Sequence, residues 1–212
     1  MKLSQPQRTH PRWGRANFFD NRHKAILLEI AQLKPSDVFY DLGCGDASLL
    51  IYAVKKCGLR KAVGFENMES RVRTAKQKIK KAGLDNRIFL ENDFYEADLR
   101  EADVIFDMMP EGNDDLKKLY SQNKHIRKGT KLIKHNLPLI GYLPDKIVFP
   151  FYLMKFPLRK AKSKNHWAKV VMQDPTVTIS DLWYELYYYS YERVYSKSEI
   201  REFDAMLTNR LK

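Results

Sequence analysis

The sequence has few cysteines and no long apolar run. Cys44 and Cys57 are the only cysteines among 212 residues, and two cysteines cannot build a disulfide framework or a zinc site. No stretch approaches the roughly 18 consecutive apolar residues of a membrane-spanning helix, and residues 1–19 contain no apolar core of a secretory signal. We therefore expect a soluble, cytoplasmic protein with neither a membrane nor a metal ion among its partners.

Acidic residues are outnumbered by basic ones, and the excess is concentrated in two segments. The net charge is +12; residues 1–24 contain six basic residues and one acidic residue, and residues 155–169 contain six basic residues and no acidic one. A localised basic segment favours an acidic partner, whereas dispersed lysines indicate only a solvated surface. Both segments are candidates for contact with nucleic acid, and a solvated lysine-rich surface is the alternative.

Apolar segments alternate with helical patterns from residue 20 to about residue 145. Helices are predicted at Asp20–Gln32, Ser48–Lys56, Ser70–Ala82 and Asp114–Asn123, and strands at Val38–Leu42, Ala62–Phe65, Arg87–Leu90, Asp103–Met108 and Lys131–Lys134. This alternation predicts an α/β fold, a Rossmann-like and mostly parallel sheet with helices on both faces. Ligands bind to such sheets outside the carboxyl ends of the strands.

After residue 145 the alternation stops, and aromatic segments of high β-propensity follow. KIVFPFYLMKF, HWAKVVM and LWYELYYYSYERVY predict antiparallel strands at the C-terminal edge of the sheet, and SKSEIREFDAMLTNRL predicts a terminal helix. We expect a basic N-terminal arm at residues 1–19, one α/β domain at residues 20–195 and a helix at residues 196–212. A basic insertion is expected within the domain at about residues 150–172.

A glycine turn, GCG at residues 43–45, lies directly between the first predicted strand and the next helix. Glycine permits a sharp turn and lets the backbone approach a ligand closely. The turn is not a nucleoside triphosphate loop, because DAS at residues 46–48 stands where a lysine followed by serine or threonine is needed. Asp41 and Asp46 flank the turn with negative charge, which favours a cationic ligand over a phosphate.

Polar residues also follow the second and third predicted strands. Glu66 ends the second strand, where an acidic residue accepts hydrogen bonds from ribose hydroxyls. Asn92, Asp93 and Phe94 follow the third strand, where an amide or carboxylate accepts from an adenine amine and an aromatic ring covers a purine. Together with Asp41 for an ammonium group, these residues predict that the ligand is S-adenosylmethionine.

The segment LKPSDVFYDLGCGD at residues 33–46 resembles the strand-one motif of class I S-adenosylmethionine-dependent methyltransferases, and Glu66 matches their second acidic motif. Further segments are similar to the archaeal protein lysine methyltransferase family and its mitochondrial relatives; these are NDFYEADL at 92–99, EADVI at 101–105, RKGTKLI at 127–133 and PLIGY at 138–142. The resemblance covers residues 20–150. It implies S-adenosylmethionine as the cofactor and an exposed lysine of a protein substrate as the methyl acceptor.

The resemblance also assigns roles to individual residues of the cofactor site. It places Asp41, Gly43 and Gly45 at the methionine end of the cofactor. It places Glu66 at the ribose and residues 92–94 at the adenine. A protein lysine methyltransferase is therefore the function that the sequence favours.

The sequence departs from the family at Ala47, where these enzymes usually have a third glycine beside the cofactor, and at DMMP, residues 107–110, which does not match the family closely. DMMP also lacks the paired prolines and aromatic residue of base-amine methyltransferases, which counts against methylation of a base amine. Asp107 is the candidate catalytic residue facing the acceptor, with an ordinary loop acid as the alternative. The alternative functions are an RNA methyltransferase acting at another position and a non-catalytic nucleic-acid-binding protein on the same scaffold.

Overall fold

The computed structural model of the chain describes residues 19–108, 119–120, 125–135, 138–139, 141–148 and 150–172. Several predicted features lie outside the described residues. They are most of the N-terminal arm, most of the helix at Asp114–Asn123, the tyrosine-rich segment and the helix at 196–212. The described residues include each residue predicted to bind the cofactor, and also Asp107.

The described residues form a seven-stranded sheet in the order β3-β2-β1-β4-β5-β7-β6. Its strands are β1 (Val38–Leu42), β2 (Lys61–Phe65), β3 (Ile88–Glu91), β4 (Val104–Asp107), β5 (Lys131–His135), β6 (Lys146–Val148) and β7 (Phe151–Lys155). Strands β1 to β5 pair in parallel, and β7 is antiparallel to both β5 and β6. The predicted Rossmann-like sheet and its antiparallel edge are therefore confirmed. The strand order reverses between β1 and β4, which is where such sheets bind ligands.

Four α-helices whose two ends are both described accompany the sheet, in addition to a short 3-10 helix at Phe94–Glu96. They are α1 (Asn21–Ala31), α2 (Ser48–Cys57), α3 (Glu69–Lys81) and α4 (Lys164–Met172). Helix α1 begins after Asp20, whose side chain accepts a hydrogen bond from the backbone N–H of His23 at 2.9 Å. This contact satisfies one of the free N–H groups at the helix start. In the part of the chain that the structure describes, no helix is long and apolar enough to cross a membrane.

The sheet separates two clusters of buried apolar side chains. One cluster contains Phe39 of β1 together with helix residues such as Leu50 and Ile79. The other contains Tyr40 of β1 and also Tyr120, which is helical and packs on the opposite face. All five residues of β1 are buried, as expected for a parallel strand covered on both faces. The core therefore holds β1, and the glycine turn that follows it, in the middle of the sheet.

The segment HWAKVVM is a helix, and the prediction that it forms a strand is wrong. It belongs to α4, and its buried side chains are Trp167, Ala168 and Val171. That spacing defines one side of a helix, whereas a strand buried on one face would bury every second residue. Ser163 Oγ accepts a hydrogen bond from the backbone N–H of His166 at 3.0 Å near the helix start. Packing therefore outweighs the β-propensity of tryptophan and valine.

Candidate cofactor site

The glycine turn after β1 is attached to the end of β2 by backbone hydrogen bonds. The N–H groups of Gly43 and Cys44 both donate to the carbonyl of Phe65, at 2.9 and 2.8 Å. Gly43 and Gly45 have φ angles of 88° and 56°, which glycine adopts without steric strain. A Cβ atom at Gly45 would meet no atom within 4 Å. Open space therefore adjoins the backbone of Gly45, as a site for close ligand approach requires.

Ala47 adopts the backbone conformation that a third glycine would favour. Its φ angle is 60°, in the left-handed region, and its side chain is fully buried. Asp46 Oδ1 accepts a hydrogen bond from the backbone N–H of Ser48 at 3.0 Å, where α2 begins. Alanine is the smallest residue with a Cβ atom, and here it follows the left-handed path. The turn is therefore formed despite the departure from the family pattern.

Asp41 is a buried carboxylate at the carboxyl edge of the sheet. It is 3% exposed, and no described residue donates a hydrogen bond to its side chain. Burial, followed by the charges of Asp107, Glu66 and Asp46, raises the pKa of Asp41 to about 8. A buried carboxylate without a donor is stabilised by a cationic ligand. Asp41 and the open space at Gly45 therefore fit the positively charged methionine end of S-adenosylmethionine.

Asp46, the second carboxylate beside the turn, is already paired within the chain. Lys78 of α3 forms an ion pair with it. Burial opposes ionisation of Asp46, but hydrogen bonds from Lys78 and Ser48 hold its pKa below the usual value. The charge of Asp46 is therefore balanced, and the attraction of a cationic ligand depends mainly on Asp41.

Glu66 follows β2 directly and contacts the glycine turn. Its Oε2 atom accepts a hydrogen bond from the N–H of Gly45 at 3.1 Å, and its Oε1 atom accepts one from the N–H of Met68 at 3.0 Å. Arg71 of α3 lies 3.6 Å from Oε2. Each carboxylate oxygen has two lone pairs. Glu66 can therefore support the turn and still accept hydrogen bonds from ribose hydroxyls.

The residues predicted to hold adenine lie together after β3, but their environments differ. Asn92 is exposed, and Asp93 Oδ1 accepts a hydrogen bond from the N–H of Tyr95 at 2.8 Å. Phe94 is buried in the apolar cluster that contains Tyr40, whereas Tyr95 is 41% exposed. Asn92 and Asp93 are thus accessible to a base, while Phe94 anchors the segment. The exposed aromatic ring is Tyr95, which the sequence interpretation missed because only one of two adjacent aromatics faces the core.

Asp107 ends β4 and lies in a buried polar cluster. It is fully buried, as is Lys134 of β5, whose Nζ atom is 3.1 Å from Asp107 Oδ2. The hydroxyl of Tyr120 donates a hydrogen bond to the same oxygen at 2.6 Å. Asp107 is opposite Leu42 in the sheet register, one residue from Asp41. The residue is thus beside the predicted methionine site, and Tyr120 and Lys134 reach it from later parts of the sequence.

Phe19, the first described residue, packs against aromatic rings near the carboxyl ends of β4 and β5. The ring centroid of Phe19 lies 5.2 Å from Phe106, 5.9 Å from His135 and 6.0 Å from Phe151. His135 ends β5, and burial, followed by the charge of His23, lowers its pKa to about 3. His135 is therefore neutral. The basic N-terminal segment of the sequence joins the fold at this point, beside β4 and β5.

Cys44 contributes packing to the glycine turn. Burial, followed by the charge of Asp41, raises the pKa of the Cys44 thiol, so it remains protonated. A Cβ atom added at Gly64 of β2 would lie 2.6 Å from Cys44 Sγ, and the absence of one lets the turn approach β2 closely.

Among the residues that the structure describes, no cluster of three or more His, Cys, Asp or Glu side chains could hold a metal ion.

Comparison with known proteins identifies a methyltransferase family. The family described as the ANTKMT methyltransferase domain matches residues 41–146. A protein-lysine N-methyltransferase from Saccharolobus islandicus is 34% identical over 124 residues, which cover 58% of this chain and 76% of that relative. The matched residues 41–146 contain every residue predicted to bind the cofactor, as well as Asp107.

Two RNA methyltransferases are also similar to the chain. The crystal structure of an RNA methyltransferase from Salinibacter ruber in complex with S-adenosyl-L-homocysteine has a TM-score of 0.61 and 26% identity, covering 68% of this chain and 96% of that one. An uncharacterized RNA methyltransferase from Chlorobaculum tepidum is 31% identical over 67 residues, which cover 32% of this chain but only 14% of that relative. The similar proteins thus share methyl transfer and differ in the acceptor that their names state.

Proposed function

Because this chain belongs to the family described as the ANTKMT methyltransferase domain and is an S-adenosylmethionine-dependent methyltransferase, we propose that its methyl acceptor is a lysine side chain of a protein. The similarity to the protein-lysine N-methyltransferase of Saccharolobus islandicus carries this proposal. That similarity extends over most of the relative, whereas the similarity to the Chlorobaculum tepidum protein is confined to a small part of it.

The proposed cofactor site uses four residues at the methionine and ribose positions. Asp41 binds the ammonium group, because its buried carboxylate has no hydrogen-bond donor among the described residues. The backbones of Gly43 and Gly45 let the ligand approach closely, since no Cβ atom lies in the way. Glu66 accepts hydrogen bonds from the ribose hydroxyls while continuing to hold the N–H of Gly45.

The proposed adenine position lies after β3. Asn92 and Asp93 offer exposed polar groups for the adenine amine. Tyr95 provides the exposed ring that can cover the base, while the buried Phe94 fixes the segment from below. The aromatic contact predicted for Phe94 is therefore reassigned to its neighbour in this proposal.

The chain has to align an amine with the bound cofactor and keep water out. The cofactor supplies a sulfonium methyl group that is already an activated electrophile. A lysine ammonium has an ordinary pKa of about 10.4 and must lose a proton before attack. Burial beside β4 lowers that pKa, whereas a nearby carboxylate raises it. Lys134, 3.1 Å from Asp107, offsets the carboxylate charge, so that burial dominates and the neutral amine is favoured.

Asp107 acts in this proposal as a positioning residue. It is fully buried, and Tyr120 and Lys134 occupy one of its oxygens. Because its carboxyl group is fully buried beside these two side chains, we assign it an indirect effect on the acceptor, through the orientation of the Tyr120 hydroxyl. This differs from the direct contact that the sequence interpretation assigned to Asp107.

The acceptor class is tested by incubating the protein with methyl-labelled S-adenosylmethionine and a cell extract, followed by nuclease or protease. We expect the label to survive nuclease and to be lost with protease. An extract whose lysines have been blocked by reductive methylation should accept little label, because no primary amines remain on lysine side chains. An Asp41→Asn variant, which lacks the proposed ammonium ligand, serves as the control for transfer by contaminating enzymes.

RNA is the second candidate acceptor. The Salinibacter ruber RNA methyltransferase, which is matched over nearly its whole length, favours it. Label that is lost with nuclease, survives protease and is unaffected by lysine blocking would replace the lysine proposal by this one. Cofactor binding without transfer to any component of the extract would favour the non-catalytic alternative.

A further inference from the structure

Helix α3 contains many more basic residues than acidic ones. It contains six basic residues and one acidic residue in thirteen positions. The basic residues are Arg71, Arg73, Lys76, Lys78, Lys80 and Lys81. All six are exposed. The helix adjoins the methyl-transfer site, since it begins three residues after Glu66.

The basic residues of α3 fall on two sides of the helix. Arg71 and Lys78 face the cofactor site, where they pair with Glu66 and Asp46. Arg73, Lys76 and Lys80 are spaced by three and four residues, so they form a stripe about 10 Å long on a different side. We refer to these three residues as the α3 stripe. Its position is separate from the residues that hold the cofactor.

Among the described residues, no carboxylate forms an ion pair with the α3 stripe, Arg73, Lys76 and Lys80. Like charges three and four residues apart destabilise a helix by about 0.2–0.5 kcal/mol per pair. Glu69, four residues before Arg73, is the acidic residue of α3 whose spacing can offset part of this repulsion. Within the described part of the chain, no ion pair to the stripe offsets the rest. A polyanion bound along the helix would remove this repulsion.

We propose that the α3 stripe binds the phosphate backbone of a nucleic acid. The composition of the helix favours this partner over an acidic protein, because every exposed side chain of α3 is polar. Protein–protein interfaces depend on a desolvated core rich in aromatic and apolar residues. Nucleic-acid backbones are instead bound by arrays of Lys and Arg that displace counterions. The stripe offers such an array and no apolar contact.

The proposal goes beyond the acceptor class, because a backbone contact on α3 would bring the enzyme to nucleic acid whether the methylated group lies on protein or on RNA. The contact carries no base sequence information, since phosphates are the same at every position. We therefore expect binding with little sequence preference and a strong dependence on salt.

The test is a fluorescence anisotropy titration of the full chain with a fluorescein-labelled single-stranded RNA of about 20 nucleotides, which is longer than the roughly 4–16 nucleotides that one single-strand-binding domain covers. The variant Arg73→Gln/Lys76→Gln/Lys80→Gln should bind the RNA at least about tenfold more weakly at low salt. For this variant, the slope of log affinity against log salt concentration should be shallower by about 2. Each contact with a single-strand phosphate contributes about 0.7 to that slope.

A matched control removes three exposed lysines that lie outside α3 and outside both basic segments of the sequence. Lys34→Gln/Lys128→Gln/Lys146→Gln lowers the net charge by the same amount, and these lysines are also exposed. The control should keep RNA affinity within about twofold of the original chain if the contact is local. The melting temperature of the α3 variant should not fall below that of the original chain, since its substitutions remove repulsion within the helix.

Three outcomes would overturn the proposal. An equal loss in the two triple variants would mean that overall charge, and not the α3 stripe, governs RNA binding. Unchanged affinity of the α3 variant would mean that the stripe is only a solvated surface. A polyglutamate peptide of equal charge that competes as strongly as RNA would indicate an acidic protein partner. Each outcome is independent of methyl transfer, which is measured separately.

Discussion

Asp41 is the residue on which the proposed recognition of the cofactor most depends. In the folded chain it ionises at about pH 8 because it is buried near other carboxylates, against an ordinary value of 3.8. Between these pH values the folded chain holds a proton that the unfolded chain releases. The contribution of Asp41 to stability therefore falls as pH rises from about 4 to about 8, and it is constant above that range.

Replacing Asp41 by asparagine should remove this pH dependence. Asparagine has nearly the same shape and cannot ionise, so Asp41→Asn should gain stability relative to the original chain as pH rises from 5 to 8. The measurement is the difference in melting temperature between the two proteins, in which the contributions of other groups cancel. A difference that stays the same across this pH range would contradict the raised pKa of Asp41.

Cofactor binding should release a proton from Asp41. A cationic ligand favours the ionised carboxylate, so affinity for S-adenosylmethionine should increase as pH rises from 6 towards 8. Calorimetry in two buffers with different ionisation enthalpies measures the released proton directly. Asp41→Asn should bind more weakly and release no proton at this position, whereas equal proton release by both proteins would exclude Asp41 as the source.

A substitution at Glu66 tests its proposed contact with the ribose of the cofactor. Glu66→Gln keeps the size of the side chain and one acceptor oxygen, but it removes the charge that strengthens hydrogen bonds from hydroxyls. We expect a loss of about 1–3 kcal/mol in cofactor binding, measured by calorimetry. Glu69→Gln is the matched control, because it removes the same charge from the exposed start of α3. If both variants bind the cofactor as the original chain does, the ribose assignment is wrong.

At the scale of elements, the glycine turn supplies a test of the open space beside Gly45. Gly45 and Gly83 have similar left-handed φ angles of 56° and 66°, and a Cβ atom at either would meet nothing within 4 Å. Gly45→Ala and Gly83→Ala should therefore lose a similar stability of about 1 kcal/mol from backbone strain. Only Gly45→Ala should bind the cofactor more weakly, since its methyl group would occupy the ligand space.

Thermal unfolding and calorimetry on both variants separate strain from ligand contact. Gly83 lies at the far end of α3, after its last residue Lys81, so its substitution reports strain alone. Equal cofactor affinity in the two variants would show that the space beside Gly45 is not used by the cofactor.

The parallel strands and the turn were predictable because their signals are local. The apolar run of β1, the glycines after it and Glu66 at the end of β2 are separated by short stretches of sequence. The motif therefore indicates both the fold and the positions of the cofactor residues. Helix boundaries shifted by only one or two residues, as for α3, predicted at Ser70–Ala82 and observed at Glu69–Lys81.

Contacts between distant residues were not predictable from the sequence. Lys78 neutralises Asp46 across 32 positions, and Lys134 meets Asp107 only because β4 and β5 are neighbours. These two ion pairs therefore changed the interpretation of Asp46 and Asp107. The wrong prediction of a strand at α4 has the same origin. Trp167 is buried by tertiary packing, which a short window of sequence does not reveal.

At the scale of the whole molecule, the net charge of +12 has a more detailed distribution than the two basic segments suggested. Helix α3 is also strongly basic, and acidic residues elsewhere balance it in the total. We propose that residues 20–195 form the methyltransferase domain, with a basic arm at 1–19 and a terminal helix at 196–212. Within the proposed basic insertion at about 150–172, residues 151–155 form β7.

The central claim is that this methyltransferase acts on lysine, and the most direct test is the chemical identity of the labelled product. After reaction with methyl-labelled S-adenosylmethionine and a cell extract, the total product is hydrolysed in acid and its amino acids are separated by chromatography. We predict that the label elutes with methylated lysine and is absent when Asp41→Asn replaces the original chain. Label found in methylated nucleosides after enzymatic digestion, with none in methylated lysine, would contradict the account.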